Sequence, residues 1–463
     1  MKSRRFVVLA CCIFAASPET GFQSYAQKPD PAIASLEARR SPDWLKSGIV
    51  YQVFVRSFSP AGDLNGVTAR LDDLHKLGVT IVWLMPIHPY GQLKKKGSLG
   101  SPYAVQDYYA IDPALGTKDD LHRLVQEAHK RQMKVIIDIV ANHTAWDSVM
   151  MAHPEYYRKG KDGQITSPYD WTDVAALDYS NAKLRRYMTD MLLSWIKNFD
   201  LDGYRCDAAG EVPTDFWEQA RKELEQAKPD IMMLAEAQKP ELMRSAFDMD
   251  YAWPMMHAVD SVLMRGEPAT KIREMFEQQQ KLYPKGALHL RMSDDHDELR
   301  AVTRYGFPGA IAASVLMFTL DGAPLIYNGM EVGDSTQSGA PALFEPQKIF
   351  WQAAGWHPEY GKFYTGIAAL RQEHTALQQG ATIWLHNSDE QHVLTYIRRA
   401  GGEEFLVAVN LSNTPFRGSV EASGNWKEIE LPGSTRESEA VPFVSLNAFE
   451  ARVFEKQGSR KTE

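Results

Sequence analysis

Apolar residues fall along this chain in short, nearly continuous runs separated by longer mixed stretches. Eight runs stand out: Ile49–Val55, Ile81–Met85, Val135–Val140, Leu201–Cys206, Ile231–Leu234, Ala246–Tyr251, Ala287–Met292 and Pro324–Tyr327. Several are almost unbroken in Val, Ile and Leu, as strands buried on both faces of a parallel sheet require. Helical stretches lie between them, such as Lys118–Gln132 and Asn181–Lys197, the second following a capping-type Ser180. Eight strands alternating with helices over about 280 residues predict an α/β fold, a (β/α)8 TIM barrel. A doubly wound open sheet is the alternative that periodicity leaves open.

Two stretches break the alternation. Residues 144–178 are too long for an ordinary strand-to-helix loop and rich in Pro, Gly, Tyr and Trp, which predicts a small excursion after the third barrel strand. From about Leu377 the pattern turns to short alternating strands, His392–Arg398, Glu404–Asn410 and Phe443–Phe454. Turn signals at Ala400-Gly401-Gly402 and Pro432-Gly433-Ser434 separate them, so a C-terminal antiparallel β-sandwich is expected over 377–457. The expected layout is a leader at 1–26, a linker at 27–43 and a barrel at 44–376, then the sandwich.

Composition changes this picture little. A chain of 463 residues has room for a barrel and one small domain, and 44% hydrophobic with 24% charged residues is ordinary for a globular protein. A net charge of −8 lacks the basic footprint of a nucleic-acid binder, so no such partner is expected. The N-terminus matters more. Lys2, Arg4 and Arg5 precede an apolar stretch, Phe6–Ala16, too short to span a bilayer of roughly 30 Å. Ser24-Tyr25-Ala26 suits cleavage before Gln27, which predicts a secreted or periplasmic protein. Val8-Leu9-Ala10-Cys11 also reads as a lipoprotein box, with anchoring at Cys11 as the alternative. No later segment reads as a membrane span. Of three cysteines, two fall in the leader, so Cys206 has no intramolecular disulfide partner in a processed chain.

In a barrel, chemistry belongs at the C-terminal ends of the strands. Four ends carry it: Asp138-Ile139-Val140-Ala141-Asn142-His143, Gly203-Tyr204-Arg205-Cys206-Asp207-Ala208, Leu234-Ala235-Glu236-Ala237 and Ser293-Asp294-Asp295-His296-Asp297. Singly, each has a structural explanation, such as Asp138 bonding a loop or Arg205 with Asp207 as an ion pair. Together they aim carboxylates, histidines and an arginine into one cup, which is costly in self-repulsion unless it does chemistry. Glycoside hydrolysis needs such a set, one carboxylate attacking as an anion and another holding a proton for the leaving oxygen. Arg205 lies two residues before Asp207 on one strand face, where it would hold Asp207 ionised as nucleophile. Glu236 follows an apolar run, where desolvation would raise it toward an acid's working range. Asp297 would favour the oxocarbenium-like transition state.

These strand-end motifs resemble those of the α-amylase family of glycoside hydrolases, from about Gly48 to the C-terminal sandwich. The resemblance implies a retaining enzyme with Asp207 as nucleophile, Glu236 as acid/base and Asp297 as transition-state stabiliser. It implies that His143, Arg205 and His296 surround the sugar at the cleavage point. Within Ser101-Pro102-Tyr103-Ala104-Val105-Gln106-Asp107-Tyr108, Tyr103 would stack on that sugar, and Asn142 matches a calcium-binding Asn. The implied substrate is an α-1,4-linked glucan or maltooligosaccharide. Relatives that cleave cyclodextrins or α-glucosides, or that transfer or isomerise the sugar, share these motifs. A non-catalytic barrel scaffold would typically have lost one of the three carboxylates.

The sequence departs from the family pattern in three places. Asp295 stands where the seventh-strand motif usually has Asn. Gly210 and Glu211 replace a Lys and a His, so calcium would depend on Asn142 with Glu211 as a substitute oxygen ligand. Ala104 replaces an Asp with which exo-acting α-glucosidases grip a chain end, which favours an open cleft. Trp171, Trp351 and Trp356 are candidate sugar platforms, and Lys94-Lys95-Lys96 reads as a solvated loop.

Overall fold

The computed structural model describes residues 31–432 and 440–458. The leader, Cys11 and the Gly433-Ser434 turn signal lie outside them. All eight apolar runs become parallel strands: β1 (Val50–Val53), β2 (Ile81–Leu84), β3 (Lys134–Val140), β4 (Gly203–Asp207), β5 (Met232–Ala235), β6 (Met249–Tyr251), β7 (Leu288–Arg291) and β8 (Ala323–Tyr327). Each pairs with its sequence neighbour and β8 returns to β1, closing the barrel. An open sheet is thereby excluded.

The pleat explains the continuous apolar runs. Val50, Ile81, Trp83, Ile136, Met232, Leu234, Met249, Leu290 and Leu325 fill the barrel interior, while the residues between them, such as Tyr51, Val82, Ile137 and Met233, pack under the helices. At Gly203 the strands approach so closely that a Cβ would meet the Met232 carbonyl oxygen at 2.1 Å. Gly203→Ala is therefore expected to destabilise the fold by about 1–3 kcal/mol, read from urea unfolding. It should also lower activity, because this pairing sets the heights of Asp207 and Glu236.

Several boundaries shift for local reasons. The first run stops as a strand at Val53, and Val55–Phe58 turns into helix. The helix Ala182–Phe199 is capped by Asn181, whose side chain accepts from Lys183 N and Leu184 N; Ser180 instead gives its N–H to Asp178. The third-strand excursion is built on a ladder of His143–Ala145 with Val174–Ala176. Lys94-Lys95-Lys96 is a solvated loop as expected, and two of its lysines also clasp that excursion. Lys96 Nζ lies 2.9 Å from Asp173 Oδ1, and Lys94 Nζ sits 3.5 Å over the Trp146 ring.

The helix Ala301–Thr319 is long and apolar enough to cross a bilayer, a property the sequence reading missed. Here it is a barrel helix, bent at Gly306 (φ 70°, ψ 169°) and packed against β8 and the strand Glu403–Asn410. The C-terminal part is a five-stranded antiparallel sheet facing a two-stranded one, with a core of Val393, Ile397, Leu406, Phe416, Val444 and Phe454. The last expected run divides into Phe443–Leu446 and Ala451–Lys456 around a turn.

Candidate active site

Inward parity assembles the site. The interior positions that hold Ile136, Gly203 and Met232 low in the barrel hold Asp138, Arg205 and Leu234 one pleat higher, and Asp207 and Glu236 above those. Arg205 is the hub and is wholly buried. Its Nη1 donates to Asp138 Oδ1 and Asp207 Oδ1, both at 2.9 Å, and its Nε to the Tyr251 hydroxyl at 3.2 Å. Its Nη2 lies 3.0 Å from Glu236 Oε2, a charge contact without hydrogen-bond geometry. The Trp83 ring lies 5.4 Å from the guanidinium carbon.

Glu236 has a second tether. Its Oε2 accepts the Ala208 N–H at 2.8 Å, and Ala208 is held at φ 44°, ψ 39°, a left-handed backbone that costs a non-glycine residue energy. Burial raises both Asp207 and Glu236 above the ordinary carboxylate range, with Arg205 opposing it in each. The Asp207 charge adds to the rise at Glu236, and the Ala208 N–H opposes it. Of the two, only Asp207 accepts a hydrogen bond from Arg205, which favours its anion over that of Glu236. Asp138, buried beneath them, is pushed up to about 7 by desolvation against the pull of Arg205.

A second chain of contacts builds the facing wall. Gln52 on β1 bonds His296 Nδ1 at 2.7 Å, so the imidazole proton sits on Nε2. That nitrogen lies 2.7 Å from the Tyr103 hydroxyl and 3.2 Å from Asp297 Oδ2, and Tyr103 donates onward to Asp138 Oδ2 at 3.1 Å. The Tyr103 and His296 rings stack at 5.3 Å. Burial keeps His296 neutral, well below its ordinary value. The Asp297 side chain remains 36% exposed and faces the cleft. Desolvation raises it, and Asp295 and Glu236 push it the same way. His143 is lowered to about 4 by burial, its Nδ1 lies 3.4 Å from the Asn142 amide, and its ring meets Trp171 edge-on at 5.6 Å.

The structure therefore joins Asp207, Glu236, Asp297, Tyr103, His143, Arg205 and His296 in one cup. Sequence reading gave Asp138 only a structural role and missed Gln52 and Tyr251. The usable signal was a lone polar group on the interior face of an otherwise apolar strand. Among the platform candidates, Trp351 is packing, because its Nε1 donates to the Phe58 carbonyl and Arg70 lies 3.7 Å over its ring. Trp356 is 70% exposed and leans on Phe350.

The expected calcium ligands stand in different surroundings, Asn142 buried and Glu211 exposed. The Asn142 carbonyl is taken by Leu177 N, its amide lies 3.4 Å from His143 Nδ1, and Glu211 ends an exposed turn. Among the described residues, no group of three or more His, Cys, Asp or Glu gathers to hold a metal ion.

Residues 37–172 and 167–356 match the family described as "Alpha amylase, catalytic domain". An α-amylase of Haloarcula japonica is 26% identical over 90% of this chain, which spans 64% of that protein's length. A cyclomaltodextrinase of Geobacillus thermopakistaniensis is 27% identical over 91% of this chain and 80% of its own. The crystal structure of a maltogenic α-amylase from Thermotoga neapolitana superposes with a TM-score of 0.81 and 29% identity, covering 89% of this chain and 99% of that one. The family match covers most of the barrel: the chain belongs to the α-amylase family and is a glycoside hydrolase.

Proposed function

We propose that the enzyme hydrolyses α-1,4-glucosidic bonds in starch-type glucans or maltooligosaccharides with net retention, through a glycosyl ester on Asp207. The observation that carries this reading is the contact of Arg205 with both Asp207 and Glu236, which keeps one carboxyl an anion beside a protonated one. In the first step Glu236 gives its proton to the glycosidic oxygen. The Asp207 oxygen forms the bond to the anomeric carbon as the leaving chain departs. In the second step the Glu236 carboxylate takes a proton from water, and the water oxygen displaces Asp207. Asp297 sets its charge against the cationic sugar, and Tyr103, His143 and His296 grip that sugar's hydroxyls and face.

A second reading is a cyclomaltodextrinase, like the relative from Geobacillus thermopakistaniensis. The experiment is a product profile on starch, maltotriose, pullulan and cyclodextrins, with NMR of the first-formed anomer. Maltose and glucose released as the α-anomer from starch and maltotriose are expected. A β-anomer would sink retention, longer oligosaccharides from maltotriose would mean transfer, and fast cleavage of cyclodextrins alone would favour the second reading. Export to the periplasm or medium belongs to the same proposal, supported by the basic and apolar N-terminus. N-terminal sequencing beginning at Gln27 supports it, whereas lipid labelling that requires Cys11 identifies an anchored form.

A further inference from the structure

Asp295 is wholly buried in the loop after β7, immediately before His296 and Asp297. Its Oδ1 accepts two backbone N–H groups, from Asp297 at 3.0 Å and Glu298 at 3.1 Å, and so fixes the direction in which the Asp297 side chain leaves the loop. Its Oδ2 is buried with no hydrogen-bond partner among the described residues. The nearby cations serve other groups. Arg300 Nε lies 3.3 Å from Asp294, and Arg304 is engaged by Asp260 and the Ser293 carbonyl. The remaining groups that face Asp295 are Asp294, Asp297 and Glu298 on its own segment, Tyr251 at the end of β6 and Tyr327 at the end of β8. A carboxylate so placed would be a buried anion with three acidic neighbours and no ion pair, whereas the neutral acid makes the same two Oδ1 contacts at far smaller cost.

We infer that Asp295 is a positioning residue for Asp297 that works as the neutral acid, so that loss of its proton with rising pH sets an unpaired buried anion against Asp297 and Glu298 and shuts down turnover. Desolvation, with Glu298 and Asp294 adding to it, pushes Asp295 up to about 7, within the range where the enzyme would meet this limit. The linkage has a definite sign. A carboxyl whose value is raised by folding holds its proton more tightly in the folded state. Stability is therefore lost as pH rises from the unfolded value near 4 to the folded value of about 7. An Asn at 295 keeps the accepting oxygen and has no proton to lose.

The inference rests on the assignment of Asp297 to the reaction. Its test is the pH profile of kcat/KM on maltotriose for wild type and Asp295→Asn, with thermal melts of both at each pH. The alkaline limb of the variant should move up by about half a pH unit or more. The Tm of the variant minus that of wild type should widen between about pH 4 and about pH 8. An unmoved alkaline limb with a flat Tm difference overturns the inference. Asp297→Asn separates the two failures. Full turnover in that variant refutes the site assignment, whereas its inactivity beside an unmoved Asp295→Asn limb refutes only the role of Asp295. If Asp295→Asn does not fold, carboxyl-carbon NMR of the wild type decides: a midpoint near neutrality supports the inference, and one at the ordinary aspartate value overturns it.

Discussion

Asp207→Asn should lower kcat on maltotriose by about 10⁴-fold or more while the protein stays folded. The amide keeps an oxygen that can accept from Arg205 Nη1, so the hub at 2.9 Å survives. What disappears is the anion that makes the glycosyl ester. KM should change far less, since Tyr103, His143 and His296 remain. The variant also distinguishes a missing nucleophile from a merely damaged pocket. With Asp207→Gly and added azide, the small anion can enter the vacated position and attack from the same side, giving a β-glucosyl azide from an α-glucoside. No azide product, together with near-normal turnover in Asp207→Asn, would place the nucleophile elsewhere.

The second large effect is on stability. Arg205→Met is expected to cost about 3–5 kcal/mol, because it strands Asp138, Asp207 and Glu236 in the barrel without their shared cation. The loss has a pH signature. Arg205 pulls all three carboxyls down against burial, so without it they hold protons to higher pH. The variant should therefore lie closest to wild type in acid, where the three are protonated, and fall behind as pH rises. Urea unfolding at about pH 5 and about pH 8 measures this. An equal loss at both would mean that the arginine acts by packing on Trp83 and Tyr251 rather than by charge.

The barrel was legible because its signal is collective: eight apolar runs at helix-plus-loop spacing admit few arrangements. Asp207 and Glu236 stand out for a related reason, as each ends an apolar run at a strand end, whereas Asp297 stands in the polar loop after β7. Gln52 and Tyr251 escaped because a single polar side chain in such a run is equally well explained as a satisfied core group. Only the barrel's closure brings Gln52 onto His296. The clasp at Lys94 and Lys96 was invisible for a different reason. Its partners, Trp146 and Asp173, lie on the excursion, and no local pattern encodes a pairing between two loops. Ala301–Thr319 is the converse case, a segment long and apolar enough to cross a bilayer whose surroundings are protein.

The left-handed turn at Ala208 bears on the whole catalytic cycle. A general acid that is only desolvated gives up its first proton reluctantly and reclaims one eagerly, so its two half-reactions are badly matched. The Ala208 N–H greets the newborn Glu236 carboxylate at 2.8 Å, and the energy stored in that backbone is the standing charge for keeping a donor there. Glu236 thereby becomes a resettable shuttle, as ready to receive as to give, and the turn behaves as the escapement that lets one carboxyl serve both strokes.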